Sequence, residues 1–211
     1  MKSYDNTILT NEARKDYQEF IDVMKKLVPD MMNRKISEAN VQQAFVFDRV
    51  HDLYEEGDSI LSVGCFEDTA YAALVEWGYE IDGIDPDVDG NTLESFFNST
   101  DKKYNIIFST SVIEHVQNDE QFIDMICKLL KSGGYAVLTT DFRDDYTPTM
   151  PLPYTDLRFY TKKDLEVRLL KIIEENGCRL INQPSWEGKP DFHYQGHDYS
   201  FATLVFRKID V

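Results

Sequence analysis

The hydrophobic positions change period near residue 59. Before it, apolar residues recur at helical spacing: Phe20, Val23, Met24 and Leu27 share one face of a helix expected over 11–27, which Pro29 ends. Ser37 is placed to cap a second helix, in which Val41, Ala44, Phe45 and Val50 repeat up to Tyr54. From residue 59 onward, short apolar runs alternate with helical stretches, the pattern of a mainly parallel sheet covered on both faces.

The run Ser59 to Val63 predicts a first strand, followed by a helix through Trp77 that Gly78 closes and a second strand that delivers Asp85. A short third strand is expected over 93–97 and a fourth over Tyr104 to Ser109. Asn118 or Asp119 caps a helix whose Phe122, Met125, Ile126, Leu129 and Leu130 face inward, with Gly133-Gly134 as its stop. Tyr135 to Thr140 then forms a strand that runs into Asp141. The irregular segment 141–160 holds Pro148, Pro151 and Pro153 among aromatic residues, and its length reads as a substrate-binding lid. Thr161 and Asp164 form a capping box for a helix that Asn176-Gly177 ends. Strands near 178–182 and 199–207 have no helix-length segment between them and are expected to pair antiparallel. The expected fold is a doubly wound, Rossmann-like α/β domain spanning 1–211. It has a seven-stranded, mostly parallel sheet with an antiparallel last strand, a helical cap over 1–57 and the α/β core over 58–211.

Composition narrows the partners. The 211 residues are 42% hydrophobic and 13% aromatic, values of a folded domain. Lys+Arg 22 against Asp+Glu 38 gives a net charge of -16, a field that repels nucleic acid and anionic membrane. Cys65, Cys127 and Cys178 form neither an even disulfide framework nor a metal-ligand spacing, so a reduced thiol set and no metal are expected. No basic start leads an apolar core and no apolar run reaches membrane-spanning length. A cytoplasmic protein is the expectation.

The chemistry concentrates after the strands. Ser62-Val63-Gly64-Cys65-Phe66-Glu67-Asp68, with Gly83-Ile84-Asp85-Pro86 downstream, has the strand, glycine turn, helix, strand and terminal acid of a nucleoside-cofactor site. Phe66 and Thr69 stand where a pyrophosphate-binding turn needs glycines. A phosphate-free nucleoside cofactor needs only Gly64, which favours S-adenosylmethionine (SAM) over NAD and makes a nucleotide-dependent oxidoreductase improbable. An ordinary βαβ unit with a surface acid is the plain alternative. After the fourth strand come Ser109-Thr110-Ser111 and Val112-Ile113-Glu114-His115-Val116.

Together these residues resemble the class I SAM-dependent methyltransferases, specifically a small-molecule subgroup with a glycine turn after the first strand and a Glu-His-Val segment after the fourth. The resemblance covers roughly 40–208. Arg158 to Leu165 and His197 to Thr203 are similar to members associated with glycan-building enzymes. The resemblance implies that Val63, Gly64, Cys65 and Phe66 surround the methionine part of SAM, that Asp85 holds the ribose hydroxyls beside Pro86, and that the segment from Ser109 to Ser111 lines the methionine side. Residues after Asp85, or around Asp89 to Leu93, would flank the adenine. The chain departs from the family at Ser62, where an acid is common, and at Phe66 and Asp68, where glycines are usual. A turn so altered also fits a non-catalytic binding or regulatory protein.

Transfer of a methyl group to a hydroxyl needs a base near the reacting oxygen. His115 is the first candidate, since histidine titrates near neutral pH, and Asp141 at the end of the fifth strand is the second. Each also has a structural reading, as part of the turn after the fourth strand and as the acidic start of a loop. His193 and His197 flank a hairpin, His51 lies on a helix, and Trp186 could stack on a sugar or pack at a strand end. The expected reaction is SAM-dependent O-methylation of a small polar acceptor of the sugar, nucleotide-sugar or glycan-precursor class. N-methylation of an amino sugar or small amine is the nearest alternative.

Overall fold

The computed structural model describes residues 3–209. Its centre is a parallel block built by β2 (Ile60–Val63), β3 (Ile81–Ile84), β4 (Tyr104–Thr110) and β5 (Leu130–Phe142), with β2 pairing both β3 and β4, and β4 pairing β5. The last strand, β8 (His197–Lys208), runs antiparallel to β5 as expected. Its other edge is covered in succession by β6 (Cys178–Leu180), β1 (Ile8–Leu9) and β7 (Phe192–Tyr194), all antiparallel. Short strands and a hairpin thus close an edge that would otherwise template pairing with another chain.

The strands alternate between two cores, as a pleat of period two requires. Leu61, Ile107, Leu138 and Leu204 face one core with Phe122, Ile126 and Leu129 of α7 (Asp119–Leu129), while Ile60, Ile106, Val137 and Val205 face the other. On that second face lie α1 (Asn11–Asp16), α2 (Gln18–Leu27), α3 (Pro29–Arg34), α4 (Asn40–Leu53) and α5 (Thr69–Trp77). A π-helical stretch, Asp164–Leu169, continues into α8 (Leu170–Glu175) on the first face.

Several sequence expectations need correction. The 93–97 segment is not a strand but helix α6 (Leu93–Ser99), started by Thr92, whose hydroxyl accepts the Ser95 amide at 3.1 Å. The sheet has eight strands rather than seven, because β1, β6 and β7 add to five long or central ones. Tyr17 interrupts the expected 11–27 helix, and Pro29 opens α3 at its first turn, where its missing amide is not needed. Ser37 does not cap α4; its hydroxyl bonds Glu38, and a 3-10 turn precedes the helix. Helix α7 ends at Leu129, and Gly133-Gly134 lie inside β5, where a Cβ on Gly134 would meet the Asn105 carbonyl at 2.8 Å. Trp186 is wholly buried and donates to the Thr203 carbonyl at 2.9 Å, so it is a core residue. All three cysteines are free and buried. Among the described residues no helix is long and apolar enough to cross a membrane.

Candidate active site

The chain reverses its direction of travel across the sheet between β2 and β4, and the carboxyl ends of those two strands flank the crevice where open α/β sheets bind ligands. There the turn after β2 is fixed by Gly64 at φ +85°, whose amide bonds the Ile84 carbonyl at 2.9 Å. Only glycine suits this point, since a Cβ would sit 2.4 Å from Val112 Cγ2. Asp85 leaves the end of β3 and accepts the Phe66 amide at 3.2 Å and the Asp87 amide at 2.8 Å. Those bonds orient its carboxylate and leave acceptor capacity on both oxygens.

A cavity of about 1120 Å³ opens over these turns. Val63, Gly64, Phe66, Asp85, Pro86, Ser111 and His115 all line it, so seven of the sequence candidates meet on one wall. Asn91 to Glu94 extend that wall, and Gln117, Gln121, Phe122 and Met125 form a side from α7 and the turn before it. The segment from Arg34 to Gln43 closes another side, and Thr155 and Tyr194 reach in from the loop and hairpin beyond β5. Three candidates lie behind the wall instead. Cys65 is buried against Gly83, and burial pushes its thiol up to about 11. Ser109 is spent on the sheet, donating to the Val63 carbonyl at 2.8 Å. Asp141 is buried beneath Ser111. Ser62, also off the cavity, is fully buried.

His115 stands at the cavity edge with its Nδ1 3.0 Å from the Thr155 carbonyl and 3.3 Å from Asp156 Oδ1. Both neighbours are acceptors, so the proton belongs on Nδ1 and the Nε2 lone pair is left to accept. The 141–160 segment is held onto this turn: the Leu157 amide bonds the Glu114 carbonyl at 3.0 Å, and Arg158 bonds the Val116 carbonyl at 2.9 Å. Behind His115, Ser111 at φ +54° points its hydroxyl to Glu114 Oε1 at 2.6 Å and to Asp141 Oδ1 at 3.3 Å, while Thr140 donates to Glu114 Oε2 at 3.1 Å. Burial, then the neighbouring Glu114 and Asp156 charges, hold the Asp141 carboxyl well above the usual range. Glu114 and Asp156 are raised too, by burial. Asp141 therefore sits buried behind Ser111 and bonded to Asp156, with burial favouring its protonated form, rather than as a base facing an acceptor.

The other histidines are accounted for outside the cavity: His51 bonds Tyr79 at 2.6 Å, and His193 pairs with Asp198 at 2.6 Å across the hairpin. His197 packs near Phe159. Sequence reasoning missed Asn40, Asp68 and Asp156 as site residues. Asp68 caps α5, with Oδ1 accepting the Ala70 and Tyr71 amides at 2.7 and 3.2 Å, and burial pushes its carboxyl up to about 6. An acid placed immediately before an apolar helix was the available signal.

Comparison with known proteins agrees with this geometry. Residues 34–183 match the family model described as "Methyltransferase domain". The fold is shared with magnesium protoporphyrin IX methyltransferase from Synechocystis, solved with bound SAM. The TM-score there is 0.55 at 14% identity, covering 94% of this chain and 97% of that one. It is shared as well with a SAM-dependent methyltransferase from Clostridium acetobutylicum, at a TM-score of 0.52 and 11% identity over 92% of this chain and 100% of that one. A curated relative, the mitochondrial ubiquinone biosynthesis O-methyltransferase of Dictyostelium discoideum, is 41% identical over 51 residues. That stretch is 24% of this chain and only 16% of the relative's length. With the family model spanning most of the sheet and the cofactor-type turn, the chain belongs to the methyltransferase domain family and has the fold of its SAM-dependent members.

Proposed function

We propose that the protein is a SAM-dependent O-methyltransferase that acts on a hydroxyl of a small polar acceptor. The observation that carries this reading is the His115–Asp156 pair at the cavity edge, an imidazole whose Nδ1 is held by acceptors at 3.0 and 3.3 Å. That arrangement serves removal of a hydroxyl proton and has less use in methylation of a neutral amine.

The lining suits the cofactor. Asn40 Oδ1 is a buried polar atom without a hydrogen-bond partner among the described residues, and Asn40 lines the cavity beside Asp68 and Thr110, whose side chains bond each other. Asp85 would take the ribose hydroxyls, with Pro86, Asn91 and Leu93 beside the adenine and Phe122 and Met125 supplying apolar cover. When bound, SAM supplies a sulfonium-activated methyl group open to in-line displacement. A cavity of about 1120 Å³ exceeds the ordinary single-ligand range of about 300–1,000 Å³, leaving room for an acceptor beside the cofactor. His115 would accept the acceptor's proton at Nε2, Asp156 would steady the charged imidazole, and the 141–160 loop would exclude water. Ser111 and Glu114 would hold the turn that carries His115.

The sugar, nucleotide-sugar or glycan-precursor class is our reading of the acceptor. It rests on the resemblance of 158–165 and 197–203 to members associated with glycan-building enzymes. The test is transfer of labelled methyl from SAM to fractionated cell metabolites. Label in a base-stable ether of a polar metabolite supports the reading. Label confined to amine products, or no transfer by a protein that binds SAM, overturns it.

A further inference from the structure

The order of strands across the sheet also orders the cavity. From one edge the sheet runs β3, β2, β4, β5, β8. Asp85 and Phe66 belong to the β2 and β3 ends, and His115 follows β4. On the β5 and β8 side come Thr155, from the loop after β5, and Tyr194, from the hairpin that β7 makes with β8. Contacts tie this pair to His115. Gln195 Oε1 accepts the Tyr154 amide at 2.8 Å, and the next carbonyl along, that of Thr155, lies 3.0 Å from His115 Nδ1.

Tyr194 is a built wall rather than a loose side chain. It pairs with His197 across a two-residue turn whose Gln195 and Gly196 have φ of +49° and +82°, the two positive values such a turn needs to match the strand twist. Gln195 Nε2 donates to the Tyr194 hydroxyl at 3.0 Å, and Phe192 stacks on the ring at 6.3 Å with 27° between the planes. The ring is half-buried and lines the cavity. Phe66 and Phe122 line it too, but from the cofactor turn and α7.

Charge selects among acceptors. Among the described residues the cations that line the cavity are Arg34 and Lys35, and both pair with Glu67 on the cofactor turn, at 2.8 and 3.6 Å. Against them stand five acids: Glu67, Asp68, Asp85, Asp87 and Glu94. Arg143 and Arg158, in the segment after β5, do not line the cavity and are engaged. Arg143 bonds Asp145 at 2.7 Å and the Asp198 carbonyl at 3.2 Å, and Arg158 bonds Asp119 at 2.7 Å. A phosphate needs cations or free N–H donors, and here it would meet a surplus of carboxylates. A neutral sugar ring has no such need, and its C–H face suits the apolar face of a tyrosine.

We infer that Tyr194 forms the acceptor wall of the cavity and that the acceptor is an uncharged sugar rather than a nucleotide-linked or otherwise phosphorylated one, an inference that rests on the O-methyltransferase reading above. Gln195 is then a positioning residue that fixes the ring and clasps the hairpin to the loop carrying Thr155 and Asp156.

The test is methyl transfer from labelled SAM to cell metabolites separated on an anion exchanger into an unretained neutral pool and a retained anionic pool. Label should enter the neutral pool. With that pool as substrate, Tyr194→Ala should lower transfer by about tenfold, with S-adenosylhomocysteine affinity by calorimetry and melting temperature both close to wild type. The loss should shrink as the pool is concentrated, as a KM effect does, and Tyr194→Phe, which keeps the ring, should stay close to wild type. Label chiefly in the retained pool overturns the uncharged acceptor. Full transfer by a folded Tyr194→Ala, or equal loss in Tyr194→Ala and Tyr194→Phe, overturns the wall. A wild type that binds S-adenosylhomocysteine but labels neither pool fails the O-methyltransferase reading itself, and the inference falls with it.

Discussion

Asp156 places its Oδ1 3.3 Å from Nδ1 of His115, joining the loop beyond β5 to the turn beyond β4 at the mouth of the cavity. The same imidazole nitrogen lies 3.0 Å from the Thr155 carbonyl, so two consecutive loop residues decide which ring nitrogen faces the acceptor. His115→Ala should lower turnover by about 100-fold or more while leaving S-adenosylhomocysteine affinity within a few-fold. Steady-state kinetics beside calorimetry makes the check. Equal loss of both would place His115 in the cofactor's surroundings rather than at the acceptor.

Asp156→Asn removes the charge that steadies the imidazolium but keeps an oxygen near Nδ1. Turnover should drop by about tenfold or more, with the cofactor affinity unchanged. An unaltered rate would mean that the Thr155 carbonyl alone orients the ring.

Much of the cofactor side was legible in the chain. Gly64 announced a turn of positive φ, and the structure adds the close approach of Val112 as a second reason for glycine. The Thr161–Asp164 capping box forms as the spacing predicts, with the Asp164 amide donating to Thr161 Oγ1 at 3.1 Å and the Thr161 amide to Asp164 Oδ2 at 3.0 Å. Helix α6 was misread because Phe96-Phe97 in a short segment fits a buried strand or a helix equally, and the Thr92 cap had to decide between them. Asp141 looked like a strand-end acid open to a ligand. Glu114, Ser111 and Tyr199 enclose it, through contacts that no local spacing encodes. The pairing of His115 with Asp156 and the meeting of Asn40 with Asp68 depend on tertiary closure in the same way.

Gly64→Ala should cost about 2 kcal/mol or more of stability, because φ +85° and the 2.4 Å approach to Val112 Cγ2 must both be relieved. Thermal melting would show the loss, and titration should show cofactor affinity lost with it. A melting temperature equal to wild type would mean the turn relaxes freely.

The buried acids give stability a pH signature. Asp141, buried and beside Glu114 and Asp156, has a pKa raised well above the usual range, so the native state keeps a proton that the unfolded chain releases. Stability then falls as pH rises above the unfolded carboxyl range, by about 1.4 kcal/mol per pH unit for that proton, until the native carboxyl itself ionises. Denaturant unfolding from about pH 4 upward should show this slope, and Asp141→Asn should flatten it. An unchanged slope in the variant would contradict the proton held on Asp141.

Asp119 acts in the opposite sense. Burial works against its ionisation, but bonds from Arg168, Tyr160 and Arg158 outweigh that and hold its pKa at about 2. Arg158 Nη1 and Arg168 Nη2 lie 2.7 and 2.8 Å from Asp119 Oδ2, tying the end of the 141–160 loop and the following helix to α7. Its contribution is present above the unfolded carboxyl pKa and is lost as pH falls from about 4 toward 2. Asp119→Ala should cost roughly 3 kcal/mol at pH 7, measured by denaturant unfolding, with the gap to wild type closing in acid.

The most direct test of the cofactor site is calorimetric titration of S-adenosylhomocysteine into wild type and into Asp85→Ala. Saturable one-to-one binding by wild type, weakened by about tenfold or more when the ribose-facing carboxylate is removed, is the predicted result. No binding by wild type, or equal affinity in the two proteins, would contradict it.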